Sequence, residues 1–278
     1  MPYGTVASME DPDWLPPEIN TGTAHPARVY DYWLGGKDNF AADRELGDAI
    51  IAALPSTRLG ARANRAFLGR AVRYLAGEAG VRQFLDIGTG IPTAGNTHEV
   101  AQAVAPASRV VYVDNDPIVL AHARALMTSD PAGATEFIQA DLRDPDKILA
   151  DPALKRTLDL GQPVALMLIA ILHFLTDEEN PQGIVSTLVD ALPSGSYLTL
   201  SHLTADFIDP EQAASASAAG QQSGVTYVPR TRAEVAAFFT GLELVDPGVV
   251  PVLAWRPDDG APDDPRAVSG YGAMGRKP

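Results

Sequence analysis

The chain has 278 residues, with 21 Lys or Arg against 35 Asp or Glu for a net charge of −14, and it contains no cysteine. That composition excludes disulfides, thiolate zinc sites, cysteine nucleophiles and cysteine-held iron–sulfur clusters, and the acidic surplus argues against a nucleic-acid partner, which needs a basic face. With 46% hydrophobic and 20% charged residues the chain can bury a large core, and at roughly 150 residues per domain it makes one large domain or two small ones.

Residues 1–20 are rich in proline and acid and are expected to form a flexible tail. They lack the basic-then-apolar order of a leader peptide, and no run of about 18 apolar residues follows that could span a membrane. The expectation is a soluble cytoplasmic protein. From 25 to 80 the pattern is helical: Ala49, Ile50, Ala53 and Leu54 recur at three- and four-residue steps, as do Leu59, Ala63, Ala66, Phe67, Val72 and Leu75. Gly35-Gly36 should break the first helix, Pro55 should end the second and Gly80 should stop the third.

From residue 82 short apolar runs alternate with capped helices. RQFLDI (82–87) reads as a strand, and Asn96-x-x-Glu99 resembles a capping box opening a helix with Val100 and Val104. RVVYVDN (109–115) is a second strand. Asp116-Pro117 then reads as N-cap and first-turn proline of a helix whose stripe is Leu120, Ala123, Leu126 and Met127. ATEFIQA (134–140) and PVALMLIAIL (163–172) are the third and fourth strands. Thr176-x-x-Glu179 should cap a helix carrying Ile184, Leu188 and Ala191, YLTLSHL (197–203) is a fifth strand, and Thr231-x-x-Glu234 starts another helix. LELVDPGVVPVLAW (242–255) reads as a terminal hairpin turned by Asp246-Pro247-Gly248, and 257–278 as a second tail with Tyr271 as its anchor.

Alternating strands and helices with continuously apolar strands imply a parallel sheet covered on both faces. The fold expected is therefore α/β: a Rossmann-like, doubly wound, mostly parallel sheet with an antiparallel C-terminal strand. Its division is a tail over 1–20, an N-terminal helical segment over 21–80, a Rossmann-like domain over 81–256 and a tail over 257–278.

Ligands of such sheets sit beyond the carboxyl ends of the strands. The first strand runs into Asp86-Ile87-Gly88-Thr89-Gly90, where Gly88 and Gly90 let the backbone approach a ligand. The second ends at Asp114, where a carboxylate can accept both hydroxyls of a ribose. The third leads to Asp141-Leu142, an acid and an apolar side chain suited to an adenine edge. Each signal alone is weak, since GxG also makes plain turns, but the three together describe an adenosine site. A dinucleotide would want a third glycine and a helix start free for pyrophosphate. Here Pro92 removes a donor, Ala94 falls one place late, and Asp86 would repel the pyrophosphate while suiting a cationic methionine end. The balance favours S-adenosyl-L-methionine over NAD.

FLDIGTG, VVYVDNDP and IQADLRD resemble the first three motifs of class I S-adenosylmethionine-dependent methyltransferases. HPARVYDYWLGGKDNFAADRELGDAI and GLELVDPGVVPVLAWRP are similar to one actinobacterial S-adenosyl methyltransferase family of that class, formerly grouped as a domain of unknown function. The resemblance implies that Gly88 and Gly90 line the methionine and ribose, Asp114 binds the ribose hydroxyls, and Asn115 lies beside the adenine. It further implies that Asp141 bonds the adenine amino group with Leu142 packed nearby, and that Asp86 faces the amino-acid end.

Many members of the class carry Asp or Asn where the fourth strand ends; here Leu168 to Leu172 offers none, and His173 is the first polar side chain. Histidine titrates in the right range to take a proton from a hydroxyl acceptor, so His173, with His202 second, is the candidate base, the alternative for His173 being a histidine that caps the next helix or packs in the core. His98 is expected near cofactor or solvent and His122 at the surface. The stretch around Gly35-Gly36 reads either as an ordinary amphipathic helix or as a lid whose Tyr30, Tyr32 and Asn39 meet cofactor or acceptor. Arg62, Arg65 and Arg73 at helical spacings could hold an acidic substrate but read rather as a solvated basic face, and no His/carboxylate cluster has metal-ligand spacing. The function expected is methyl transfer to an oxygen or nitrogen of a small molecule, the alternatives being a cofactor-binding module without transfer or an NAD-dependent oxidoreductase.

Overall fold

The computed structural model describes residues 20–126, 129–258, 260 and 263–278. The tail expected over 1–20 lies outside the described residues but for Asn20, as do Met127 and the side chain of Leu126.

Three helices come first: α1 (Pro26–Leu34), α2 (Ala41–Ala53) and α3 (Thr57–Gly77). α1 stops where expected, because Gly35 takes φ +87° and turns its N–H back onto the Asp31 and Tyr32 carbonyls, a left-handed cap that glycine adopts without strain. In α3 the stripe of Ala63, Phe67, Val72 and Leu75 is buried, whereas Leu59 is exposed.

Five strands follow, β1 (Gln83–Ile87), β2 (Arg109–Asp114), β3 (Ala134–Gln139), β4 (Ala165–Ile169) and β5 (Tyr197–Leu203). All pair in parallel, in the order β3-β2-β1-β4-β5. The chain therefore winds outward from β1 to β3 and then restarts at β4 on the other side, leaving a switch point between β1 and β4.

The helices between the strands are α4 (Thr97–Val104), α5 (Pro117–Leu126), α6 (Pro145–Ala150), α7 (Pro152–Thr157) and α8 (Pro181–Asp190). α4 carries the expected capping box of Asn96 and Glu99, and Asp116 caps α5 by accepting from Ile118 N–H at 2.9 Å. The Thr176–Glu179 box closes only a short 3₁₀ turn; α8 starts afresh at Pro181 with Asn180 as its cap, since a proline without an N–H fits a first turn and not a continuing helix.

Successive residues of each strand face opposite sides. Leu85, Val111, Leu166 and Leu200 pack against Ile148, Leu154, Leu188 and Phe238; Phe84, Val110, Tyr112 and Met167 pack against Phe67, Val72 and Leu75 of α3. Both faces are covered, which is why β1 and β4 are buried at every position.

The far end corrects the expectation. α9 (Pro210–Gln222) and α10 (Arg232–Ala237) precede two short strands, β6 (Glu243–Leu244) and β7 (Val250–Pro251). These do not form a hairpin with each other. Both run antiparallel to β8 (Gly270–Arg276) along one of its edges, so Val245 to Val249 is a kink in an interrupted strand and not a reversal. β8 itself lies in the stretch expected to be tail, inserted between β5 and β6 and paired to β5 over its whole length. Its small residues hid it: a Cβ on Gly272 would lie 2.8 Å from the Phe67 ring, and one on Gly275 2.8 Å from the Phe239 ring.

Candidate functional site

A cavity of about 540 Å³ opens at the carboxyl ends of β1, β2, β3 and β4, at the switch point where such sheets hold ligands. Asp86, Gly88, Gly90, Asp114, Asn115, Asp141 and Leu142 all line it, so the sequence-derived row of strand-end residues comes together.

Asp86 is buried and accepts from the Thr97 hydroxyl at 2.6 Å. Burial raises its pKa to about 6, against the opposing pull of the Thr97 bond and of Arg65. Gly88 (φ +78°) and Gly90 (φ +67°) shape the following loop. A Cβ at Gly88 would stand 2.6 Å from Ile171, so the loop presses directly on the chain leaving β4. Asp114 holds the loop from beneath: its two oxygens accept from Gly90 N–H at 2.8 Å and Asp116 N–H at 2.9 Å. Burial pushes this carboxyl up as well, though both N–H bonds favour its charge. Asn115 donates to Asp141 at 3.1 Å. Burial of Asp141 opposes its charge, but the Arg143 N–H, the Asn115 amide and the Arg143 guanidinium outweigh it and hold its pKa low.

The loop entering α4 spends its donors on its own side chains. Glu99 takes the N–H groups of Gly95 and Asn96 at 2.7 and 3.0 Å, and Asn96 takes that of Thr93 at 3.2 Å. A pyrophosphate needs such donors free; three carboxylates beside a self-capped helix suit a nucleoside with positive charge.

On the opposite wall His173 follows β4 in a tight turn. Its ring lies beside Phe174, His202 and Tyr227 at centroid distances of 4.4, 5.7 and 6.2 Å, and its buried Nδ1 has no hydrogen-bond partner. Burial, then the neighbouring His202 and Arg230, keep its pKa well below the usual histidine value, so the ring is neutral. His202 is engaged at both nitrogens: Nδ1 meets the Leu203 carbonyl at 2.7 Å and Nε2 meets Arg230 Nη1 at 3.0 Å. Because a guanidinium only donates, Nε2 must accept and Nδ1 carries the proton; burial takes this histidine down to about 4. That geometry makes His202 a support and leaves it no free base. Arg230 also donates to the Leu172 and Leu175 carbonyls at 3.1 Å each, fixing the turn that carries His173.

Of the three lid candidates only Tyr30 lines the cavity. Its hydroxyl donates to the Ala61 carbonyl at 3.0 Å and accepts from Asn64 at 2.9 Å. Asn64 in turn accepts from Ser201, whose hydroxyl takes the Ala170 N–H at 3.0 Å. This chain ties α1 and α3 to the strand ends. Tyr32 instead donates to Asp48 at 2.6 Å, and Asn39 to Asp31 at 2.8 Å; both are consumed within the front segment, whose short loop needs those bonds to close.

Arg65, read from sequence as part of a solvated face, instead lines the cavity and donates to the Ala94 and Gly95 carbonyls at 3.3 and 3.0 Å. His98 does not line the cavity; it is buried with Nδ1 2.9 Å from the Tyr112 hydroxyl. His122 sits partly buried, 3.8 Å from Asp38. Among the described residues no group of three His, Asp or Glu could hold a metal ion.

Residues 12–278 match the model of the family described as S-adenosyl methyltransferase. The chain belongs to that family. A DUF574 family protein of known structure from Streptomyces avermitilis is 51% identical, with TM-score 0.89 over 93% of this chain and 99% of that one. A Thermobifida fusca structure, provisionally described as a methyltransferase, is 44% identical with TM-score 0.87, covering 96% and 99%. An O-methyltransferase family protein from Burkholderia thailandensis, 15% identical with TM-score 0.52 over 89% of this chain and 63% of that one, shares the fold alone. No curated protein matches the sequence. The protein is thus an S-adenosylmethionine-dependent methyltransferase with the class I architecture, and S-adenosylmethionine is its cofactor.

Proposed function

We infer that this methyltransferase acts on an oxygen or nitrogen of a small molecule held in the cavity beyond β4. The observation that carries the reading is the cavity's two-sided chemistry: carboxyls from three consecutive strand ends on one wall, and an unpartnered, neutral imidazole on the other. Asp114 would hold the ribose, Asp141 with Asn115 and Leu142 the adenine, and Asp86 the amino-acid end. The cofactor supplies a methyl group activated by attachment to a sulfonium. The chain's own tasks are to align the acceptor, exclude water and, for a hydroxyl, take up a proton. His173 is suited to the last because it is neutral and its residue lines the cavity. The apolar surroundings of His173 and the lid contacts of Tyr30 serve the first two.

Nothing in this arrangement calls for nucleic acid, and the net charge of −14 opposes it.

Calorimetry with S-adenosylhomocysteine tests the cofactor roles. Asp114→Ala should bind it at least tenfold more weakly than the wild type, and unchanged affinity would remove the ribose assignment. Incubation with methyl-labelled cofactor and a small-molecule extract of the source organism tests transfer; label recovered only on protein or nucleic acid would overturn the acceptor class.

A further inference from the structure

The cavity is electrically divided. Its five lining residues of formal charge, Arg65, Asp86, Asp114, Asp141 and Arg143, belong to the glycine loop and the ends of β1 to β3 or the helix that flanks them. The remainder, beyond His173, is built by α2, α9 and the segment 224–229, and its described lining contains no Lys, Arg, Asp or Glu. Ile50, Leu54, Phe174, Ala216, Val225 and Tyr227 make its walls, all part of one apolar cluster. Phe174 and Tyr227 lie 5.4 Å apart at 50°, forming an aromatic corner beside the imidazole. The polar atoms facing this chamber are neutral, and the imidazole itself is kept neutral by burial.

We propose that the acceptor is an uncharged, mainly apolar molecule of aromatic ring size that presents one hydroxyl to His173, and that carboxylate- and ammonium-bearing acceptors are rejected. An ion moved into these walls would lose its hydration with no free counter-charge lining them, the costliest kind of burial; the nearby Arg230 guanidinium is already taken by His202, the Leu172 and Leu175 carbonyls and Asp177. A neutral ring gains from the apolar and aromatic surfaces. In the transfer the hydroxyl oxygen's electron pair forms the new carbon–oxygen bond, and the sulfur–methyl bond breaks with its pair left on sulfur. The hydroxyl proton passes to His173, which, with its low pKa, returns it readily to water. The selection is made by the chamber, so it acts on binding before any chemistry. This proposal rests on the transfer reading given above for the identity of the reacting atom only.

The test uses the full-length protein saturated with S-adenosylhomocysteine and three probes of one shape: 2-naphthol, 2-naphthoate and 2-naphthylmethylammonium. Calorimetry should find 2-naphthol bound at least tenfold more tightly than either ion. Equal or tighter binding of an ion, or no binding of 2-naphthol, overturns the proposal. Ser217→Lys places a cation on the partly exposed inner face of α9, and should narrow the gap between 2-naphthol and 2-naphthoate at least threefold. An unchanged gap would put the probe outside the chamber and also overturn it. If S-adenosylhomocysteine itself fails to bind, the cofactor reading falls instead; if it binds and, with S-adenosylmethionine in its place, 2-naphthoate is methylated in preference to 2-naphthol, transfer stands and only the acceptor class is lost.

Discussion

At the scale of single residues, two buried titratable groups on opposite walls have been moved in ways that serve different ends. Asp86 is a carboxyl kept partly protonated near neutrality, because burial raises it to about 6 and one hydroxyl bond does not compensate. An acid whose pKa is higher in the folded state than in the unfolded chain binds more protons when folded, so stability falls as pH rises from the unfolded value toward 6. Across that window, from an ordinary aspartate value up to the raised one, the loss is about 3 kcal/mol. Asp86→Asn should abolish this part of the slope in thermal denaturation at pH 4 to 7, and a slope identical to the wild type's would remove Asp86 as its source. His173 is displaced the other way: held neutral by burial, it needs no loss of a proton to act as a base. For a hydroxyl acceptor, kcat should therefore stay level as pH falls from 8 to 6.5, with its acid limb below that range. His173→Ala should cost 10²- to 10⁴-fold in kcat, the usual range for a general base. A limb centred near 6.5 would mean that the imidazole is not the group titrating. The strand-end acids were legible from sequence because an acid directly after an apolar run has few structural reasons to be there. The commitment of His202 was not legible, because it depends on Arg230, 28 positions away in the chain.

Among elements, the front helices are joined to the cofactor wall by a buried ionic cluster. Arg28 of α1 donates to the Asn20 and Thr23 carbonyls at 3.1 and 2.9 Å, and its Nε lies 3.5 Å from Asp43 and 3.8 Å from Asp116. Asp43, wholly buried, accepts the N–H groups of His25 and Phe40 at 2.9 and 2.8 Å and so welds α1 to the start of α2. Asp116 caps α5 two residues beyond Asp114 and lies 3.0 Å from His25. The segment's attachment and the shape of the loop held by Asp114 are thereby coupled. Arg28→Met would leave two buried carboxylates facing each other without a guanidinium, a loss of about 3 to 5 kcal/mol for a broken buried pair. The midpoint of thermal unfolding should fall by roughly 6 °C or more, at 2 to 4 °C per kcal/mol for a chain of this size, and S-adenosylhomocysteine affinity should fall with it. A variant with unchanged midpoint would show that the cluster carries no stability. Helices and strands with an apolar rhythm were legible from sequence; α9 was not, because PEQAASASAAGQQ has no stripe and buries only Ala216 and Gly220.

For the molecule as a whole, the decisive element is the one with the weakest sequence signal. β8 pairs with β5 from Tyr197–Arg276 to Leu203–Gly270, carries β6 and β7 on its other edge, and is fastened by Lys277, whose N–H bonds the Ser196 carbonyl at 2.7 Å. Without it β5 would be an exposed edge and Phe67 of α3 would lose its floor. The pattern GYGAMGR looks like a linker because strands are usually sought as branched apolar residues, yet here glycine is required by the other side of the contact. Gly272 is paired with Ser201 on one edge and Val250 on the other, so its backbone cannot withdraw, and an added Cβ would meet the fully buried Phe67 ring at 2.8 Å. Gly272→Ala should therefore destabilise the fold by about 1 to 3 kcal/mol, the range for overpacking a rigid core. Phe67→Leu alone should also destabilise, by removing ring contacts with Trp255, whose centroid lies 5.3 Å away. In the double variant the two losses should not add, because the smaller side chain vacates the space the new methyl needs. Denaturant unfolding of the four proteins gives the coupling directly. A coupling energy indistinguishable from zero would mean that the C-terminal strand can shift away from α3, and that the sheet does not depend on this packing.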